Sequence, residues 1–214
     1  MRHLILYVNK NTEGKRDGDE FEREALAYAR HHNAHGHEVL LVPVPCDIPA
    51  TRRPEAVENN VRQVAERHKE RLFDVFAYFG HGTERWIQTG HTMTKLGGLV
   101  NLFEDILTPT ATLWFAACKT AANNPRPVQG DARGFLEKLV HRCDTQLLTA
   151  WGHTTAGHTT KNPNLALINS KNYLPVSLGQ RKILQKHLWT PNSTLRFQIP
   201  LCSSIDELIG RIPE

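Results

Sequence analysis

A histidine flanked by glycines, Gly80-His81-Gly82, and a cysteine that follows two alanines, Ala116-Ala117-Cys118, are the residues of this chain whose types could do chemistry together. Each ends a short run rich in aromatic and β-branched residues. Val75-Phe76-Ala77-Tyr78-Phe79 leads to the first and Thr112-Leu113-Trp114-Phe115 to the second. A thiol becomes a useful nucleophile when a base can take its proton, backbone donors await the oxyanion, and substrate can reach it. His81 is the natural base for Cys118. Gly82 has no Cβ, so its N–H can approach a substrate carbonyl closely. With the N–H of Cys118 it would form an oxyanion hole, a device worth roughly 3–4 kcal/mol per donor in hydrolases.

For these groups to meet, the two runs must be neighbouring parallel strands. Such strands lie ~4.8 Å apart, so residues leaving their carboxyl ends can face one substrate bond. That edge is where open α/β sheets hold their ligands. The rest of the chain supplies the architecture. Periodicity predicts strands over 4–8, 39–44, 146–151 and 195–199, besides the two already named. It predicts helices over 20–33 and 54–70, an amphipathic one over 96–107, and one after Asp131 that buries Phe135, Leu136, Leu139 and Val140. Ser204 and Glu207 read as a capping box opening a last short helix. Pro43 should confine the second strand to a sheet edge. The polar stretch 152–173 starts at a strand's carboxyl end and reads as a substrate loop. Helical crossovers between strands imply a mostly parallel sheet with helices on both faces, formed by residues 1–214 as one domain.

Composition narrows the function classes. With 214 residues, 40% apolar and 22% charged, the chain can bury a core and is not a disordered segment. No apolar run approaches the ~20 residues that span a bilayer, and residues 1–8 turn polar too soon for a signal peptide. The charge of +4 is mild and spread out. Arg52-Arg53 and Arg181-Lys182 read as solvated surface, so neither nucleic acid nor membrane is expected as a partner. Cys46, Cys118, Cys143 and Cys202 form no Cys-x-x-Cys, which fits a reducing, cytoplasmic setting. Homodimerisation stays open. His31, His32, His35 and His37 crowd one predicted helix end, where cationic side chains suit the dipole, with metal binding the lesser reading.

The two motifs together resemble the caspase-like cysteine peptidases, the group of caspases, metacaspases, legumains, gingipains and separases. The resemblance covers both motifs and the order of elements over nearly the whole chain. It implies a three-layer fold with a six-stranded sheet in the order 2-1-3-4-5-6, the last strand antiparallel. It makes the chain a cysteine endopeptidase acting on protein or peptide substrates without metal or cofactor. It assigns His81 as general base and acid, Cys118 as nucleophile, and Gly82 as an oxyanion donor with Cys118. Arg16-Asp17-Gly18-Asp19 is similar to a caspase segment whose arginine binds an acidic P1 residue. Thr149-Ala150-Trp151-Gly152 is similar to one lining the substrate groove, which would put Trp151, Gly152 and His153 along that groove. Ala116 stands where caspases carry glutamine and Ala117 where metacaspases carry aspartate, so P1 preference is left open.

Two other readings compete. One is a caspase-like binding module that recognises a partner without cutting it. The other is a metal hydrolase using His153 and His158 with His81 and His91, although His-x4-His with glycines between fixes no common helical face. A dinucleotide loop fails for want of a third glycine, Arg85 standing in its place, and no Gly-x-Ser-x-Gly occurs.

Overall fold

Strand and helix alternate along the chain as the apolar periodicity predicts. The computed structural model describes residues 1–9, 17–68, 72–125, 131–157, 162–188, 190 and 193–212. In chain order the elements are β1 (Arg2–Tyr7), α1 (Asp17–Ala34), β2 (Glu38–Pro43), α2 (Arg53–Arg67), β3 (Phe73–Phe79), α3 (Gly97–Ile106) and β4 (Leu107–Ala116). There follow α4 (Phe135–Arg142), β5 (Thr149–His153), β6 (Leu165–Ile168), β7 (Tyr173–Pro175), α5 (Leu178–Leu188), α6 (Leu195–Gln198), a 3-10 turn (Ile199–Leu201) and α7 (Ile205–Gly210).

One mixed sheet takes the strands in the order β2-β1-β3-β4-β5-β6-β7. β1 to β5 are parallel to one another, β6 is antiparallel to β5, and β7 is antiparallel to β6. The central strands are buried on both faces: Phe76, Tyr78, Leu113, Trp114, Phe115, Ala150 and Trp151 are at most 1% exposed. A sheet covered on both sides by helices is a three-layer α/β arrangement. Among the described residues no helix is long and apolar enough to cross a membrane.

Both outer strands carry a proline on their open side. Glu38 and Val44 donate their N–H groups to Met1 and Tyr7 of the β1 side, so every second residue of β2 points its N–H inward. Pro43 falls on the opposite parity, where it removes no ladder bond, and β2 is the edge strand that this proline predicts. Pro175 sits opposite Ala166, between the inward-bonded Leu174 and Val176, and is likewise turned outward.

Three expectations are corrected. The sheet has seven strands, not six. Its sixth is Leu165–Ile168, inside the stretch that reads as a substrate loop, while residues 195–199, which alternate like a strand, form α6 and enter the 3-10 turn. Their side chains Leu195, Phe197 and Ile199 are all buried. The place beside β5 that they would have taken is filled by β6, with β7 beyond it. Asp131 caps no helix: α4 starts at Phe135 with Gly134 at its N-cap, and the Asp131 carboxylate accepts from Arg133 (Nε, 2.9 Å) and pairs with Lys138 (3.1 Å).

Candidate active site

β3 and β4 leave the sheet in step. Phe79 is in register with Ala116, and His81 and Cys118 each stand two residues further on, at the carboxyl rim of adjacent parallel strands. Both are partly exposed, neither being turned into the core.

The His81 backbone is held from two sides. Its carbonyl accepts from the Tyr78 hydroxyl (2.9 Å) and the Gln88 N–H (3.0 Å), and its own N–H donates to Gln88 Oε1 (3.3 Å). Burial pushes the Tyr78 hydroxyl far above its ordinary range, so it remains a donor at any working pH. Gly80 makes this bond possible, since a Cβ there would collide with the Tyr78 hydroxyl and lie 2.8 Å from Val8 Cγ2. The imidazole meets the Phe21 ring of α1 edge to face, centroids 5.0 Å apart. That contact fixes one side of the ring with an apolar surface.

Gly82 is buried against the cysteine loop. An added Cβ would stand 2.7 Å from Thr120 Cγ2 and 3.1 Å from Ala117 Cβ. Gly82 also bridges Ile87 in antiparallel fashion, with Gln88 N–H bonded to His81 O and Thr83 N–H to Trp86 O. In that pattern Gly82 and Ile87 are a non-hydrogen-bonded pair, so the Gly82 N–H points away from Ile87.

Cys118 opens an abrupt turn. Lys119 has φ 52°, the one non-glycine with positive φ among the described residues. A lysine there costs on the order of 1–3 kcal/mol, and such strain persists only where neighbours enforce it. Here Lys119 N–H donates to Thr155 O (3.1 Å) and Ala121 N–H to His153 O (3.0 Å). The Gly157 N–H donates to Cys118 Sγ (3.4 Å), which ties the loop after β5 to the cysteine. Helix α4 ties the two loops together: its Phe135 N–H donates to Glu84 O (2.8 Å) and its Leu136 N–H to Thr120 O (3.0 Å).

Beside His81 lies a cavity of about 670 Å³ walled also by Trp86, Gln88, Arg53 and Lys95. No carboxylate lines it among the described residues.

The remaining expected residues are placed differently. Arg16 lies outside the described residues. Trp151 is fully buried and its Nε1–H donates to Cys202 O (3.0 Å). Gly152 is packed on Leu136, Ala121 and Thr120, and His153 is fully buried with its ring 5.3 Å from that of Trp114. β5 has strands on both flanks and layers on both faces, so these side chains are core and not groove. What β5 offers the site is its backbone, through His153 O. The residues that sequence reasoning missed are Gly157, Gln88, Tyr78 and Phe21; Gly157 alone carried a signal, as a glycine in the polar stretch after β5.

Among the described residues, His81, His91 and His153 do not form a group of ligand-type atoms. His91 is buried between Glu58 (3.0 Å) and Thr89 (2.7 Å), and His158 lies outside the described residues. The one trio of ligand-type side chains brought together among the described residues is His3, His32 and His37, at the far rim. No family model matches the chain, and no curated protein matches it.

Proposed function

We propose that this protein is a cysteine endopeptidase of caspase-like type that uses a His81–Cys118 dyad. The observation that carries the reading is the in-step departure of β3 and β4, which brings a partly exposed imidazole and a partly exposed thiol to one rim of the sheet. His81 takes the Cys118 proton, and Sγ attacks the scissile carbonyl carbon. The carbonyl oxygen becomes an oxyanion facing the N–H groups of Gly82 and Cys118. Collapse breaks the C–N bond as His81 gives its proton to the leaving amine, which leaves a thioester on Cys118. His81 then takes a proton from water, the resulting hydroxide attacks the thioester carbonyl, and Cys118 departs as the acid product forms.

The cavity beside His81, with Arg53 and Lys95 in its wall, suits neutral or acidic substrate side chains, the same sign as an acidic P1 preference set by Arg16. Cys46, Cys143 and Cys202 are buried as thiols and not joined in disulfides, which accords with a reducing, cytoplasmic setting for a working thiol. A peptide electrophile tests the reading. It should label Cys118 in stoichiometric amount and block turnover of a peptide library. Labelling without turnover of any peptide would replace the peptidase by a binding module of the same shape.

A further inference from the structure

At the rim opposite His81 and Cys118, three imidazoles turn their nitrogens toward one point. His3 is the second residue of β1, His32 lies in the last turn of α1, and His37 follows the reversal at Gly36 (φ 78°) that ends the helix. The reversal is closed by His37 N–H donating to His32 O (3.0 Å), which folds His37 back beside His32. His3 and His32 are 0% and 1% exposed, whereas His37 is half-buried and faces solvent on one side.

His3 Nε2 lies 3.0 Å and His32 Nδ1 lies 3.2 Å from the same atom, His37 Nδ1. The far nitrogens of His3 and His32 each have a partner. His32 Nε2 is 3.1 Å from the Phe197 carbonyl, which only accepts, so that nitrogen carries the proton and Nδ1 presents a lone pair. His3 Nδ1 is 2.8 Å from the Tyr28 hydroxyl, and where that hydroxyl accepts, Nε2 presents a lone pair as well. In that tautomer two lone pairs meet a third nitrogen that can offer them at most one proton.

We propose that His3, His32 and His37 form a binding site for a divalent transition metal, with Zn²⁺ as the ion best suited to three imidazoles. Zn–N bonds of ~2.0–2.1 Å at tetrahedral angles set ligand nitrogens roughly 3.3 Å apart, close to the spacings here. The ligand atoms of the three all lie within 4.8 Å of one another. Phe197 O and the Tyr28 hydroxyl take the places of the outer partners that orient metal-bound histidines. The fourth vertex is left to solvent on the His37 side. Such an ion would staple the end of α1 to the start of β1 and, through Phe197, to the C-terminal segment.

The test is Zn²⁺ titration of chelator-treated full-length protein by calorimetry, with Co²⁺ absorption as a second readout. One ion per chain, a raised melting temperature and a tetrahedral Co²⁺ spectrum without thiolate charge transfer are expected. His37→Ala, at a half-exposed position that should fold, loses affinity by more than ~100-fold, and Tyr28→Phe by ~10- to 100-fold. His35→Ala, at the neighbouring exposed histidine, leaves binding unchanged. Equal affinity in wild type and His37→Ala, loss with His35→Ala, or a thiolate band in the Co²⁺ spectrum would overturn the site.

Discussion

Cys118 differs from the other three cysteines in surroundings as well as in position. Burial pushes the Cys143 thiol up to about 12 and the Cys202 thiol up to about 11, so both stay protonated at neutral pH. Cys46 is 5% exposed. A thiol-directed electrophile at pH 7 should therefore modify one site in the folded protein, and mass mapping that finds Cys46, Cys143 or Cys202 instead would remove the basis for the dyad. Cys118→Ala is expected to fold normally and lose peptide cleavage. His81→Ala should slow turnover by ~10²- to 10⁴-fold, the usual loss for a general base; a change under threefold would make His81 a packing residue for Phe21. Gly82→Ala forces a methyl toward Thr120 and Ala117 and should lower stability by ~1–3 kcal/mol together with activity, read from a urea midpoint and from turnover. The placement of His81 and Cys118 at one rim was legible because each ends its own apolar run. The groups that hold them were not: Phe21 reaches His81 from another element, and nothing in the residue type of Gln88 marks the bonds it makes to the His81 backbone.

At the level of elements, the parallel half of the sheet was readable because each strand is a compact apolar run followed by a helical stripe. β6 and β7 were not: Leu-Ala-Leu-Ile and Tyr-Leu-Pro are four and three residues long and sit among asparagines, lysines and prolines. In 195–199 an alternating pattern misleads, since a short turn enclosed on all sides buries Leu195, Phe197 and Ile199 without needing a strand's period. α7 shows a capping signal that was half right. Ser204 Oγ accepts from Glu207 N–H (3.0 Å), but the Glu207 carboxylate reaches back to Ser203, N–H at 2.7 Å and hydroxyl at 2.9 Å, and to Arg211 (2.7 Å). Chiefly through the Ser203 N–H, these bonds hold Glu207 down to about 2, against an ordinary 4.5. A depressed carboxylate contributes stability above its unfolded value and loses it as pH falls. Thermal scans should thus show wild type falling between about pH 4.5 and 2, with Glu207→Gln flattening that limb. Arg133 and Lys138 draw Asp131 down in the same direction, so a residual slope is expected. Parallel curves for wild type and variant would mean that the Glu207 carboxylate contributes nothing.

Across the whole molecule, the C-terminal segment works as a strap. Cys202 O accepts the Trp151 indole proton, Phe197 O meets His32, and Arg196 pairs with Glu24 (3.4 Å), so residues 195–202 touch β5 and α1 at once. Trp151→Phe leaves the Cys202 carbonyl without its buried donor and should cost ~1–3 kcal/mol in urea unfolding. Ending the chain after Leu188 should abolish a single cooperative transition and shift tryptophan emission to the red; a truncated form with native emission would show the strap to be dispensable. The outward prolines act at the same scale. Pro43 and Pro175 deprive each flank of an amide hydrogen at the point where a stray chain would dock, and β7 spans only three residues. Each flank thereby offers one backbone donor fewer to a recruited β-segment, which weakens fibril-type elongation at both edges.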